Sequence, residues 1–143
     1  MEQQIDYAAN GGLTYWAFCW YYPPGENKDI PNNNTLGLWQ QFTQDDALPY
    51  IPDVTTGWDK RPWEKVDEPQ KNRAIYYTDR SPELVGQLVS KAIQWVKANP
   101  THATAERLVM LYAWNENGEG GYLTPTRAEG TAYLDAIART VKQ

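Results

Sequence analysis

Apolar positions in this chain of 143 residues fall into two patterns, unbroken runs and stripes at helical spacing. Residues 2–10 read as a short helix with Ile5, Ala8 and Ala9 on one face, stopped by Gly11-Gly12. The run LTYWAFCWYY, 13–22, is almost continuously apolar or aromatic and ends at Pro23-Pro24, which predicts a strand buried on both faces. PPGENKDIPNNN is a loop by its turn chemistry, and a short helix is expected near 35–42. LPYIPDV, 48–54, reads as a second strand, interrupted by two prolines.

The second half carries stronger signals. Ser81-Pro82-Glu83 combines a capping hydroxyl with proline at the first helical position. Leu84, Val85, Leu88, Val89, Ala92, Ile93 and Val96 then mark one helix face to about residue 98. RLVMLYAW, 107–114, predicts a third strand buried on both faces. Thr126 with Glu129 fits a capping box, and Tyr133, Leu134, Ile137 and Val141 give a last helix its apolar stripe. Strands buried on both faces and separated by helices imply a parallel α/β sheet, expected as a single α/β unit over residues 1–143. In such sheets chemistry sits in the loops after the strands' C-terminal ends, here 23–35, 55–72 and 114–125.

Composition narrows the function classes. Thirteen basic and eighteen acidic residues give a net charge of -5, which argues against a non-specific nucleic-acid binder. No run of eighteen apolar residues occurs, so no membrane span is expected, and the N-terminus lacks the pattern of a secretion signal. Cys19 is alone in an apolar run and reads as a buried packing thiol, which leaves no disulfide framework. The single histidine, His102, lies in the polar segment NPTHATA and reads as a surface residue. With no cysteine cluster either, the residues call for neither a metal nor a cofactor. Seven Trp and ten Tyr, by contrast, are many for this length.

Two of the three loops hold candidate chemistry. In AWNENGEGGYLTP, 113–125, Glu116 and Glu119 stand three apart in a segment loosened by Gly118, Gly120 and Gly121. Two nearby carboxyls suit a general acid paired with a base or nucleophile, as in glycoside cleavage. They also suit a divalent metal with oxygen ligands, or a solvated acidic loop without a role. VTTGWDKRPW, 54–63, places Trp58, Asp59, Arg61 and Trp63 in the loop after the second strand. Sugars offer hydroxyls to charged partners and C–H faces to indole rings. The alternative is that the tryptophans close the core and that Asp59 and Arg61 pair with each other. Trp20, Tyr21 and Tyr22 extend aromatic surface at the first strand's end, where packing is an equal alternative.

GWDKRPW and AWNENGEGGYLTPTRAEGTAYLDAI resemble the two late motifs of the glycoside hydrolase family 99-like proteins, including the WbsX-type relatives from polysaccharide gene clusters. The resemblance covers roughly residues 48–141, and YAANGGLTYWAFCWYY is similar to a helix-to-strand segment of the same group. It implies a partial (β/α)₈ TIM barrel made of late β/α units with parallel strands. It also implies a glycan substrate, an α-mannoside in the better-studied members, which are retaining enzymes thought to work through a 1,2-anhydro sugar. By position Glu116 would be the base acting on the substrate's 2-hydroxyl and Glu119 the general acid. Trp58, Asp59, Arg61, Asn115, Tyr22 and Trp20 are the expected substrate-binding residues.

Two departures stand out. Asn117-Gly118 replaces a large aromatic common in relatives after the first glutamate, which puts pocket shape and substrate in question. A (β/α)₈ barrel takes about 250 residues. The expectation is therefore a piece of a longer enzyme, or a compact descendant that completes its sheet with a second copy, because bare parallel edges invite aggregation. A non-catalytic glycan-binding or assembly role, and a glycosyltransferase-like role in polysaccharide synthesis, are the competing functions.

Overall fold

The computed structural model describes residues 2–13, 49–59, 61–63, 77 and 80–142. The expected strand 13–22 beyond Leu13, the loop 23–35 and the helix near 35–42 lie outside these residues, as do Cys19, Trp20 and Tyr22. The elements in order are α1 (Glu2–Asn10), β1 (Asp53–Thr55), a 3-10 turn (Arg61–Trp63), α2 (Pro82–Ala98), β2 (Met110–Tyr112), β3 (Asn115–Glu116), a second 3-10 turn (Asn117–Glu119), β4 (Gly121–Tyr122) and α3 (Ala132–Val141).

Among the described residues, three helices form on the apolar stripes that predict them. At the end of α1, Gly12 takes a left-handed φ of 83°. That conformation lets Leu13 N–H reach Ala8 O and Gly12 N–H reach Ala9 O, which satisfies the last carbonyls of the helix. Ala8 is buried, whereas Ile5 and Ala9 are exposed, so the inner face of α1 is narrower than the three-residue stripe suggests. In α2 the Ser81 hydroxyl accepts from Leu84 N–H at 3.1 Å, and Pro82 follows it as anticipated.

The start of α3 differs from expectation. Thr126 Oγ1 does accept from Glu129 N–H at 3.0 Å, but this closes a separate turn in which Gly130 N–H bonds Thr126 O. The helix begins only at Ala132, after Gly130 at a left-handed φ of 55°. Gly130 cannot continue a right-handed spiral, so the capping signal sits one turn ahead of the helix it was meant to start. Tyr133, Leu134 and Ile137 are buried in the stripe, but Val141 at its end is exposed.

Strands β1 and β2 pair in parallel, Asp53 opposite Met110, Val54 opposite Leu111 and Thr55 opposite Tyr112. Since α2 lies between them in the chain, β1–α2–β2 is a βαβ unit, and the protein is α/β among its described residues. Both strands are shorter than their apolar runs. The second starts at Asp53 because Pro49 and Pro52 have no N–H to give a ladder; Pro52 instead accepts from Met110 N–H at 2.8 Å. The third starts at Met110 because Arg107 takes a left-handed φ of 53° and bonds Thr104 O, forming a turn.

Burial on both faces is not observed in β2. Met110 is exposed, and Leu111 and Tyr112 are half-buried. In β1 only the middle residue, Val54, is buried, with Asp53 and Thr55 half-buried on either side. An apolar run therefore overstated the burial of a sheet whose helices pack beneath Val54. The core is built from Val54, from Val85, Val89 and Ala92 of α2, from Leu123 after the hairpin, and from Tyr133, Leu134 and Ile137 of α3. Burying a side chain such as Ile137 contributes about 1.5–3 kcal/mol. Helices α2 and α3 approach closely at Gly86, where a Cβ would stand 3.5 Å from that of Ala136. Among the described residues, no helix is long and apolar enough to cross a membrane.

Candidate functional site

Parallel pairing of β1 and β2 brings the loops that follow them to the same edge. Thr56, buried immediately after β1, is the first tie between them: its hydroxyl accepts from Ala113 N–H at 3.0 Å and donates to Ala113 O at 3.2 Å. A buried hydroxyl that bonds the backbone on both sides fixes the two strand ends without leaving a polar atom unmatched.

Beyond Ala113 the chain doubles back as a short hairpin. Asn115 pairs with Tyr122 and Glu116 with Gly121. The 3-10 turn Asn117–Glu119 connects them and ends at Gly120 with a left-handed φ of 67°. Leu123 and Thr124 N–H groups both donate to Trp114 O, at 2.9 and 3.0 Å, which shuts the base of the hairpin. Asn117 Nδ2 donates to Asn115 O at 3.1 Å, which braces the turn.

The loop after β1 lies directly against this hairpin. Asp59 N–H donates to Glu119 O at 2.6 Å. At Gly57 a Cβ would lie 2.1 Å from Gly120 O, and at Gly121 one would lie 2.8 Å from Gly57 O. The two backbones meet with no room for a side chain between them, which is what the glycines supply. The predicted sugar loop and the predicted carboxylate loop are thus neighbours, joined through the backbone of Glu119 itself. Both glutamates are half-buried.

The other expected site residues are placed as follows. Trp58 rests against Tyr112, ring centroids 6.3 Å apart at 49°, so its ring takes part in packing at the strand end. Asp59 and Arg61 pair with each other, as the simpler alternative held. Arg61 Nε and Nη2 reach the carboxylate at 2.8 and 2.7 Å, and Arg61 N–H adds a third bond at 3.0 Å. That side-chain bonding to Arg61 holds the Asp59 carboxyl below its ordinary range. Asn115 sits exposed at the start of β3.

Arg80 is a residue of this region that the sequence did not single out. It precedes the helix cap, where a charged residue carries no distinguishing pattern. Its Nε donates to Thr56 O, its Nη2 to Tyr122 O and its Nη1 to Glu129 Oε1, each at 2.8 Å. The guanidinium lies 4.1 Å from the Tyr122 ring centroid and 3.8 Å from that of Tyr133. Burial pushes both tyrosine hydroxyls up from their ordinary value; Arg80 opposes that shift and Glu129 adds to it.

At the opposite, N-terminal end of β1, burial raises the Asp53 carboxyl, opposed by a hydrogen bond from Val54 N–H. Its Oδ1 is buried without a hydrogen-bond partner. Tyr50 lies nearby and is pushed up by burial and by the Asp53 charge. Its ring packs edge-on against Trp95 at 5.8 Å.

Residues 36–137, more than half of the chain, match the model of the family described as glycosyltransferase WbsX. The chain is also 33% identical over 90 residues to the protein titled uncharacterized protein WxcX in two strains of Xanthomonas campestris pv. campestris. That match takes in 63% of this chain but only 12% of the length of those curated relatives. No solved structure matches. The matched region holds both loops of the site, and the chain belongs to the WbsX family.

Proposed function

We propose that this chain contributes the late β/α units of a (β/α)₈ barrel that cleaves or transfers glycosidic bonds, with Glu119 as general acid and Glu116 as base. The observation that carries the reading is the Asp59 N–H to Glu119 O contact, which seats the carboxylate hairpin on the Trp58–Asp59–Arg61 loop at the C-terminal edge of a parallel pair. Barrel enzymes keep their chemistry at that edge. The 3-10 turn also supports a paired role: three residues per turn bring position 119 back toward the side of position 116. Trp58 offers an indole face, Asp59 and Arg61 offer hydrogen-bonding groups, and Asn115 begins the hairpin beside them. Trp20 and Tyr22 are further substrate-binding residues of this proposal, and a second copy or the remainder of a longer chain supplies the other strands.

In this mechanism Glu116 draws the proton from the substrate's 2-hydroxyl as its oxygen attacks the anomeric carbon. Glu119 gives its proton to the departing glycosidic oxygen. Opening of the 1,2-anhydro sugar then reverses both roles, with water or an acceptor hydroxyl as nucleophile. The description of the matching family favours an acceptor hydroxyl, hence transfer, as the second reading.

Leaving-group chemistry tests the assignment. Glu119→Gln keeps shape and removes the proton donor, so turnover of an unactivated α-mannoside should fall about 10²-fold or more. An aryl glycoside, whose leaving group needs little protonation, should lose much less. Glu116→Gln should slow both alike. Equal losses on both substrates for Glu119→Gln would refute the acid role. Product analysis with and without added acceptor sugars separates hydrolysis from transfer, and inactivity of the unmutated full-length protein on a glycan panel would favour a binding role.

A further inference from the structure

We infer that Arg80 is a positioning residue, which sets the placement of the Glu116–Glu119 hairpin against the Trp58–Asp59 loop. The inference rests on the catalytic reading above for its effect on turnover, but its structural half stands independently.

Arg80 connects three parts of the chain that are distant in sequence. Thr56 O belongs to the loop after β1, Tyr122 O to the returning strand of the hairpin, and Glu129 to the turn before α3. The side chain is only 15% exposed. Its cationic plane contacts two aromatic rings, those of Tyr122 and Tyr133. A guanidinium suits this place because its donors leave a rigid plane in three directions; a lysine ammonium has one centre and could not reach both carbonyls and Glu129 in the same geometry. At Thr56 and Tyr122, Arg80 takes hold on each side of the Gly57–Gly120–Gly121 contact, where the two backbones approach too closely for a side chain between them. The Asp59–Glu119 and Thr56–Tyr112 backbone bonds, the Thr56–Ala113 pair and the Trp58–Tyr112 ring contact hold the same two loops, and Arg80 adds a side chain that bonds both at once. Removing the arginine frees the hairpin to shift relative to Asp59, and Glu119 moves with it. Its Nε, Nη1 and Nη2 are each taken up by a protein acceptor, two of them on the loops of the joint, so Arg80 would act through the hairpin.

The test uses the full-length protein with Arg80→Lys, which retains the charge, and Glu129→Gln, which removes the counter-charge but leaves the two carbonyl bonds. Amide exchange at Asp59, whose N–H is held by Glu119 O, reports hairpin placement directly. It should quicken roughly tenfold or more in Arg80→Lys and less in Glu129→Gln, with exchange in the middle of α2 unchanged. Unchanged exchange at Asp59 in a folded Arg80→Lys protein overturns the inference, whatever the activity. Kinetics give the second readout. Arg80→Lys should lower kcat on an unactivated glycoside by roughly tenfold, hurt an aryl glycoside less, and add little when Glu119→Gln is already present. A merely structural role would lower both substrates equally and persist in the Glu119→Gln background. Should Glu119→Gln itself show no leaving-group dependence, the catalytic reading fails, and Asp59 exchange alone decides whether Arg80 positions the hairpin.

Discussion

Replacing Gly57 by alanine should damage this protein far more than an added methyl group ordinarily does. The new Cβ would stand 2.1 Å from Gly120 O, with Arg80 Cδ at 2.8 Å and Nε at 3.0 Å. Ordinary contacts lie near 3.5 Å, so the two backbones must separate by more than about 1 Å. Overpacking of a rigid site costs about 1–3 kcal/mol. The separation also breaks the Asp59 to Glu119 backbone bond, worth about 0.5–1.5 kcal/mol, and strains the Arg80 to Thr56 bond, a charged one in the range of roughly 1.5–3 kcal/mol. A loss of about 3–7 kcal/mol follows, a large share of the roughly 5–15 kcal/mol that stabilises a typical domain. Gly130→Ala is the control. It has the left-handed φ of 55° but nothing within 4 Å of the added Cβ, so its cost is the conformational strain alone, about 1–2 kcal/mol. Urea unfolding of both variants, followed by tryptophan fluorescence and compared at a common denaturant concentration, measures the difference. Values within about 0.5 kcal/mol of each other would show that the loops are not in backbone contact, and the proposed site would lose its foundation.

Two further outcomes are expected. Asp53 has a folded pKa raised above its ordinary 3.8 by burial, so the unfolded chain ionises first as pH rises. Stability then declines between 3.8 and the higher folded value and stays lower above it, and Asp53→Asn should be the more stable protein at pH 7 while losing that advantage at pH 3; an equal midpoint for the two proteins across this range in thermal melts would contradict it. Ser81→Ala should cost about 1 kcal/mol by freeing Leu84 N–H at the start of α2, measured by urea unfolding; no change in the midpoint would show that another acceptor takes over the cap.

The sequence made the helices legible and the sheet only partly so, for a physical reason. A helix is declared by groups within a few residues of one another, as at Ser81 with Leu84, or at Gly12 with Ala9 and Leu13 with Ala8. Strand limits depend on a partner far away in the chain. The apolar run from Leu108 continues through Val109, yet pairing begins at Met110 because the turn at Arg107 precedes it and Pro52 offers the first acceptor opposite. The Thr126–Glu129 signal shows the limit of local rules too. Thr126 Oγ1 accepts from Glu129 N–H as the motif requires, but the Glu129 carboxylate goes to Arg80 and the Thr126 hydroxyl, and the glycine that follows moves the helix start to Ala132. Which faces are buried was the least legible property, because continuous apolarity in 107–114 does not say which residues meet a helix.

The site divides along the same line. Glu116, Glu119, Trp58 and Asp59 could be named from the sequence because each carries unusual chemistry in a glycine-rich or aromatic loop. Their mutual placement could not, since it is made by groups with no chemical signature: the carbonyls of Thr56, Glu119 and Tyr122, and the bare Cα atoms of Gly57, Gly120 and Gly121. Arg80 joins those carbonyls and looks in sequence like any charged residue ahead of a helix. A backbone-to-backbone contact has a consequence for function as well. A side-chain replacement at Glu119 leaves its carbonyl in place to accept from Asp59 N–H, so testing that carboxylate by substitution keeps the joint. One side chain does brace the carrier itself: Asn117 Nδ2 on Asn115 O holds the turn on which both carboxylates are carried.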